Sequence, residues 1–160
     1  MKLKISAIGK LKSGPEQELF SRYFKRAQLS GTKLGFSSVT HQEYPESRNS
    51  SVQIRKQQEC KLLFPVENAN SALMVFDENG KDFTSRKFAG LLADQRDQGT
   101  SELIMALGGP DGIDQKLLSR AKYSLRFGSM TWPHQIARIL LAEQLYRAMT
   151  ILAGHPYHRA

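Results

Sequence analysis

The sequence predicts an α/β fold with a mostly parallel sheet that carries helices on both faces. Short apolar runs alternate along the chain with longer segments of helical periodicity, which is typical of strand-helix-strand units. Two of these runs, residues 71–76 and 102–107, are apolar at every position after the first, as expected of strands buried on both faces of a parallel sheet. No internal repeat or linker interrupts the 160 residues, so we expect a single domain over residues 1–160.

The first half of the chain is expected to form two strands and two helices. Residues 2–8 alternate between polar and apolar positions and predict the first strand. Pro15 suits the first turn of a helix, and apolar residues follow at helical spacing: Leu19, Phe20, Tyr23 and Phe24. Residues 34–40 predict the second strand, and a polar loop over residues 45–51 leads to a second helix over residues 52–64.

The middle of the chain is expected to form a buried strand followed by a helix. Residues 71–76 are the third strand, and the Asp77-Glu78-Asn79-Gly80 stretch after them is a turn signal. The helical pattern over residues 84–98 begins with a capping hydroxyl at Thr84 or Ser85.

The last third repeats the same alternation. Residues 102–107 predict the fourth strand, residues 113–121 a short helix and residues 123–127 a fifth strand. The final helix is expected to run from Pro133 to about Ala153, with Thr131 as its candidate N-cap.

This final helix carries little polar surface. Apolar residues occupy nearly every side of it between Ile136 and Leu152. A helix that is apolar all round must be buried on more than one side. In so small a domain a partner subunit is the natural cover, so we expect a homodimer that uses this helix.

Composition points to a basic protein of a reducing compartment. The net charge is +8, with 23 Lys and Arg against 15 Asp and Glu. A positive field attracts polyanions such as nucleic acid, although an inert basic surface has the same composition. Apolar runs fall short of the roughly 18 residues of a membrane span, and no signal-peptide core follows Met1. Cys60 is the only cysteine, which argues against disulfides and favours the cytoplasm.

Three segments fall where an α/β sheet binds its ligands, beyond the carboxyl ends of the strands. They are residues 76–80, 108–112 and 127–132. The second reads Gly-Gly-Pro-Asp-Gly, and glycines let the backbone approach a ligand closely. It matches neither the P-loop nor the dinucleotide-binding pattern. By itself it also fits a plain connection between a strand and a helix.

The C-terminus is rich in groups that donate, accept or carry charge. Chain ends are usually frayed and expendable, so the Tyr157-His158-Arg159 sequence after the last helix predicts a functional role. The separations between His134, His155 and His158 do not match a metal site, and no metal is expected. A histidine near neutral pH suits proton transfer or a phosphate contact.

Several short motifs share the order and spacing of one known family. They are Gly9-Lys10, Gly80-Lys81, Gly108-Gly109-Pro110-x-Gly112, Met130-Thr131-x-Pro133-His134, Glu143-Gln144-x-Tyr146-Arg147-Ala148 and Tyr157-His158-Arg159. Each is weak alone, but together they resemble the RlmH family, which methylates a pseudouridine of 23S ribosomal RNA. The resemblance covers the whole chain. It implies the SPOUT fold, an α/β sheet whose C-terminal segment is threaded into a trefoil knot that holds S-adenosylmethionine.

The resemblance also implies which residues bind S-adenosylmethionine. They belong to the three strand-end segments: Phe76, Gly108, Phe127, Gly128, Ser129, Met130, Thr131 and Trp132. Two positions depart from the family pattern, because Gly128 replaces a frequent serine and Arg126 replaces a small polar residue. A cofactor contact through the backbone of Gly128 is preserved, whereas a contact through a hydroxyl at that position is lost.

The implied reaction moves a methyl group from the sulfonium to N3 of a pseudouridine in 23S ribosomal RNA within the assembled ribosome. N3 must lose its proton, and a positioned side chain can remove it. The tail is the reactive cluster beyond the cofactor loops, so we expect Tyr157, His158 and Arg159 to serve catalysis, completing the partner's pocket across a dimer. The alternatives are another SPOUT enzyme, acting on transfer RNA or a ribose hydroxyl, and a non-catalytic ribosome-binding module.

Overall fold

The fold is an alternation of five strands and five helices, seen in a computed structural model that describes residues 1–65 and 70–158. The elements are β1 (Lys2–Ile8), α1 (Pro15–Thr32), β2 (Ser38–Tyr44), α2 (Val52–Leu63), β3 (Ser71–Asp82), α3 (Ser85–Asp97), β4 (Glu102–Leu107), α4 (Gln115–Arg120), β5 (Tyr123–Arg126) and α5 (His134–Leu152). Every strand pairing is parallel, in the order β2-β1-β4-β3-β5. The predicted α/β class is therefore confirmed.

Helices cover both faces of the sheet, also as predicted. On one face α1, α3 and α5 bury their apolar sides against strand residues such as Leu103 and Met105. On the other face α2 and α4 pack against the residues that alternate with them, such as Ile104 and Ala106. Successive side chains of a strand point to opposite faces, so a strand between two apolar layers must be apolar at every position.

Local signals place several element boundaries where the sequence predicts them. Pro15 is the first residue of α1, where its missing N–H costs no hydrogen bond. Thr84 caps α3, because its hydroxyl accepts a hydrogen bond from the Lys87 N–H at 3.2 Å. Asp114 caps α4 in the same way, accepting from the Lys116 N–H at 2.8 Å. The predicted first and fourth strands coincide with β1 and β4.

The second strand is present, but its predicted bounds are wrong, because β2 begins at Ser38 rather than at Leu34 and continues to Tyr44. Residues before Ser38 instead close the C-terminal turn of α1, where Leu34 N and Phe36 N both donate to the Gly31 carbonyl. Gly35 adopts a φ of 84° in this turn, a conformation that favours glycine. Phe36 is completely buried without belonging to a strand, so its apolar character misled the sequence interpretation.

The predicted turn after Phe76 is also wrong in part, because β3 continues to Asp82. Phe76 and Lys81 both pair with Leu125, so the residues between them form an irregular excursion within one strand. Gly80 lies so close to the Leu125 backbone that a Cβ would collide with it.

The last helix starts at His134, and Thr131 does not cap it. Pro133 occupies the N-cap position, and no side chain caps the helix. The helix is covered within its own chain, because it packs against α1 and α3, and Leu141, Leu145 and other residues of α5 are completely buried. The apolar surface that suggested a dimer thus has intramolecular cover, and the homodimer stays a prediction. None of the described helices is long and apolar enough to cross a membrane.

Candidate active site

A cavity of about 420 Å³ opens where the three strand-end segments meet. β3 contributes Phe76, the end of β4 and the loop after it contribute residues 107–113, and the segment after β5 contributes residues 127–128 and 130–133. The start of α5 closes the remaining side with His134 and Ala137. The volume lies within the range of about 300 to 1,000 Å³ that is typical of small-molecule sites.

The residues assigned to the cofactor from the sequence gather around this cavity, with one exception. Those that line it are Phe76, Gly108, Phe127, Gly128, Met130, Thr131 and Trp132. Ser129 does not line it. Met130 and Trp132 are exposed at 74% and 43%, which is unusual for large apolar side chains and gives the cavity an uncovered apolar rim.

Three glycines, which present only backbone, share the wall contributed by the loop after β4 with Pro110, Asp111 and Ile113. A Cβ added at Gly108 would lie 2.7 Å from Ile113 Cγ1 and 3.1 Å from the Gly112 carbonyl carbon. A Cβ at Gly109 would lie 2.9 Å from Ile8 Cγ2. Both distances are below normal van der Waals contact, so only glycine lets this loop pack closely and leave its peptide groups beside the cavity.

The cavity lining also includes aromatic rings and charged groups. The rings of Phe76 and Phe127 stack with centroids 4.8 Å apart. Asp77 and Glu78 line the same cavity, and the Arg126 that lines it is paired with Asp82. Exposed backbone, a flat apolar wall and two carboxylates form a suitable receptor for S-adenosylmethionine, which carries peptide-like polar groups, a flat base and a sulfonium charge.

Helix α2 fastens the glycine loop from behind, a feature that sequence reasoning missed. Arg55 donates two hydrogen bonds to the Asp111 carboxylate, at 2.6 and 3.0 Å. This pairing lowers the pKa of Asp111 and raises that of Arg55. Two residues earlier in the helix, Gln53 donates to Asp114 at 3.2 Å. The loop after β4 is therefore tied to α2 by charge as well as by packing.

Glu59 lies behind the same loop and is almost completely buried, at 3% exposure. Its Oε1 accepts a hydrogen bond from the Ser47 N–H at 2.8 Å, whereas Oε2 has no hydrogen-bond partner among the described residues. Burial raises the pKa of this carboxyl, because removal from water disfavours the charged form. A Cβ at Gly109 would lie 3.2 Å from Oε2, so the glycine also makes room for Glu59.

A buried arginine holds the start of α5 against β1 and β2. Arg138 is 1% exposed and pairs with Glu43 at 2.5 Å. It also donates to the carbonyl oxygens of Ile8 and Gly9, at 2.9 and 3.1 Å. Glu43 accepts a further hydrogen bond from the Leu11 N–H at 3.0 Å. This network positions the helix whose first residues line the cavity, and sequence patterning gave no sign of it.

His41 completes this buried network as a neutral group. Its Nε2 lies 3.9 Å from Glu43 Oε1, and its ring packs against Phe20 with centroids 4.5 Å apart. Burial, which outweighs the attraction of Glu43, lowers the pKa of His41 from 6.5 to about 4.

The C-terminal tail folds back on α5 and forms a cluster of side chains, which we call the tail cluster: Tyr23, Glu143, Tyr146, Arg147, Tyr157 and His158. The Tyr157 hydroxyl donates to Glu143 Oε1 at 3.2 Å, and its ring lies 4.7 Å from the Tyr146 ring. The Arg147 guanidinium stands 5.0 Å from the Tyr157 ring and also pairs with Glu143. His158 Nδ1 is 3.5 Å from Arg147 Nη1.

The tail cluster is separate from the cavity of its own chain. Tyr157 and His158 do not line the cavity, and Arg159 lies outside the described residues. Glu143, which anchors Tyr157, is nine residues along α5 from His134, or about 13 Å. Burial, hydrogen bonding with Tyr23 and the charge of Glu143 raise the pKa of Tyr157 to about 12, so its hydroxyl stays protonated at neutral pH. In the described part of the chain no three His, Cys, Asp or Glu side chains gather into a possible metal site.

Comparison with known proteins agrees with this arrangement. The family model described as "Predicted SPOUT methyltransferase" matches residues 1–158. A protein of Brucella abortus (strain S19) named "Ribosomal RNA large subunit methyltransferase H" is 49% identical over 169 residues, covering 100% of both chains. Proteins with the same name from Brucella anthropi and Brucella suis biovar 1 are each 48% identical, again over 100% of both chains. The chain therefore belongs to the SPOUT methyltransferases and, among them, to the RlmH family.

Proposed function

We propose that this protein methylates N3 of a pseudouridine in 23S ribosomal RNA of the assembled ribosome, with S-adenosylmethionine as methyl donor. The observation that carries the proposal is the cavity whose wall is made of exposed glycine backbone, stacked phenylalanines and two carboxylates. The names of the Brucella relatives support a large-subunit ribosomal RNA substrate. The proposal includes one SPOUT domain over residues 1–160, the trefoil knot and a cytoplasmic location.

The residues of the cavity would bind and orient the two reactants. When bound, S-adenosylmethionine supplies a methyl group on a positively charged sulfur that leaves as a neutral sulfide. Peptide groups of Gly108 and Gly128 offer hydrogen bonds to its polar ends, and Phe76 packs against its flat part. Asp77 and Glu78 favour its positive charge. Holding donor and acceptor in line supplies much of the rate acceleration in such a transfer.

The nucleotide must also lose the proton on N3, and we assign that step to the tail. His158 is the group of the tail suited to accept a proton near neutral pH. Tyr157 stays protonated, since its pKa is raised to about 12, so its role is to anchor the tail through Glu143. Arg159 would stabilise the anionic nucleotide or contact phosphate.

The tail can serve catalysis only if it reaches a cavity other than its own, so the proposal requires a homodimer. Substitutions at Leu140 and Leu145 distinguish loss of the dimer from loss of the fold. Leu145 is completely buried within its own chain, so Leu145→Asp should unfold the protein at a cost of several kcal/mol. Leu140 is half-buried and lines a second groove with Phe83 and Phe127. Leu140→Asp should give a folded monomer by light scattering, and a wild-type protein that is monomeric when fully active would contradict the dimer.

The decisive experiment offers several RNA substrates to one enzyme preparation. Chelator-treated protein would be incubated with labelled S-adenosylmethionine and with ribosomes, free large subunits, 23S RNA or transfer RNA. Mass mapping should locate the label at N3 of one pseudouridine of 23S RNA, with ribosomes as the best substrate. Label in transfer RNA or on a ribose oxygen would favour a different SPOUT enzyme. Calorimetry that detects neither the cofactor nor its demethylated product would refute the proposed donor.

A further inference from the structure

Helix α1 presents one buried face and one strongly basic face. Its buried face, which includes Phe20, Ala27 and Gly31, packs on β2 and α5. Glu16 and Glu18 lie in the first turn, and no acidic residue follows them in the helix. Positive charge on the rest of its outer surface is therefore not offset along the helix.

Five exposed residues of α1 and its C-cap form what we call the α1 stripe: Arg22, Lys25, Arg26, Leu29 and Lys33. Their spacing of three, four and seven residues places them on one side of the helix. Leu29, in the middle, is 65% exposed. Within residues 1–65 and 70–158, no ion pair engages Arg22, Lys25 or Arg26. These cations are available to an external anion.

The α1 stripe is continuous with the tail cluster. The Arg26 guanidinium lies 5.6 Å from the centre of the Tyr146 ring. Tyr146 in turn contacts Tyr157, and the Tyr23 ring of α1 is 6.4 Å from Tyr146. A row of cations thus leads directly to the aromatic and basic groups proposed to act on the nucleotide.

We propose that the α1 stripe is the surface that binds the phosphate backbone of large-subunit ribosomal RNA and directs it to the tail. This inference rests on the proposed function and adds the docking surface to it. Regularly spaced cations match phosphates along a strand, and their binding releases condensed counterions. The Arg26–Tyr146 pair in the middle of the stripe offers a stacking platform for an unpaired base, as aromatic and guanidinium groups do in other RNA-binding proteins.

RNA fits this surface better than a second copy of the chain does. A two-fold interface brings the same patch of both subunits together, so an interface centred on the α1 stripe would oppose its cations to one another. A membrane surface would require a broad apolar face beside the basic one, and Leu29 is the single large apolar residue of the stripe.

The test compares two variants that lose the same charge at different places. Arg22→Gln with Lys25→Gln neutralises the stripe and leaves Arg26 on Tyr146. Arg86→Gln with Lys87→Gln neutralises two exposed cations of α3. Binding to purified large subunits would be measured at several salt concentrations, together with melting, cofactor affinity, light scattering and methyl transfer.

The stripe variant should bind large subunits about tenfold or more weakly, with the slope of log K against log salt reduced by about 1.5 for two lost phosphate contacts. Cofactor affinity and kcat at saturating substrate should not change. The α3 variant should keep the wild-type slope. Equal losses in both variants, no loss in the stripe variant, or a changed molecular mass would each overturn the proposal. If wild-type protein binds large subunits but transfers no methyl group to them, the proposed function fails. The salt dependence of binding by the two variants would still test whether the α1 stripe is the docking surface.

Discussion

The two ends of α5 meet the rest of the molecule in opposite ways. At its start, His134 faces an open cavity whose walls are glycine backbone and aromatic rings. At its end, the chain turns back and packs Tyr157 into a closed cluster of side chains with Glu143 and Arg147. The cavity at the start of α5 can receive a molecule, whereas most polar groups at the end of α5 already have partners within the chain.

This difference indicates a division of labour between backbone and side chains. A ligand with many polar atoms is best held by peptide groups that glycines expose, because their positions are set by the strands. Proton transfer needs a particular side chain, and in this fold the suitable tail group, His158, lies away from the cavity of its own chain. The cavity alone should therefore bind the cofactor, whereas catalysis should need both ends of α5 from two subunits.

Removing the tail should give the largest effect. Deletion of residues 157–160 should reduce methylation of ribosomes at least about a hundredfold, as for other lost proton-transfer groups. Cofactor affinity should stay within a few-fold, and melting should fall by only a few degrees, since the lost contacts are the few that Tyr157 and His158 make with Tyr23 and the end of α5. Methyl transfer to ribosomes and calorimetry would measure the two quantities separately.

Single histidine variants show which end of α5 removes the proton. His158→Ala should slow the chemical step at saturating ribosomes and flatten its pH dependence. His155→Ala is the matched control, since His155 is exposed and contacts only the tail backbone. If the truncated enzyme works at the normal rate, and His134→Ala abolishes transfer, the cavity end alone performs the chemistry.

A smaller effect is expected from filling the backbone wall of the cavity. Gly108→Ala would place a methyl group 2.7 Å from Ile113, and the loop must shift at a cost of about 1 to 3 kcal/mol. Cofactor affinity should fall about tenfold to a hundredfold. Gly90→Ala in α3 is the control, because no atom lies within 4 Å of its added Cβ. Equal affinities for the two variants would show that the backbone of this loop does not contact the cofactor.

Loss of the contact between α2 and the loop after β4 should reduce cofactor affinity less than Gly108→Ala does. Arg55→Gln removes the pairing with Asp111, so the glycine loop samples more positions, and cofactor affinity should fall about two- to fivefold. Arg55→Lys should keep only part of the wild-type cofactor affinity, since lysine cannot make both hydrogen bonds. Arg48→Gln, in the exposed loop before α2, should have no effect. A larger loss of cofactor affinity for Arg48→Gln than for Arg55→Gln would contradict the role of the Arg55–Asp111 pair in positioning this loop.

The smallest expected effect concerns acid stability near the start of α5. Because the folded pKa of His41 is lowered to about 4, the unfolded chain binds its proton first as pH falls. The free energy of unfolding should therefore decrease from about pH 6.5 towards pH 4. His41→Gln should make this decrease shallower in denaturant titrations between pH 7 and pH 5. Parallel curves for both proteins would mean that His41 is accessible to protons in the folded state.

Much of the fold was predictable because its signals are local. The alternation of β1, the apolar run of β4 and the capping hydroxyl of Thr84 each depend on a few neighbouring residues. The family was also predictable, since its motifs are short and ordered, and the comparisons confirm it. The placement of the three loops around one cavity followed from the parallel sheet.

What the sequence did not reveal depends on contacts between distant residues. The pairing of Arg138 with Glu43 spans 95 positions, and no pattern around either residue indicates a buried partner. β2 was misplaced for a related reason, because it carries His41 and Glu43, polar residues whose partners lie close only in the folded chain. The tail motif was recognisable, but its position away from the cavity was not.

The hydrogen bond from Arg138 to Ile8 joins residues 130 positions apart, and this separation has a consequence for how the protein matures. Synthesis proceeds from the N-terminus, and early segments begin to fold first. Glu43 and the carbonyl groups at the end of β1 can pair with Arg138 only after nearly the whole chain has left the ribosome. Contacts of such long range also form slowly. A nascent chain, or one truncated before Arg138, should thus lack an ordered cavity, so enzymatic competence requires that the chain be made at least through α5.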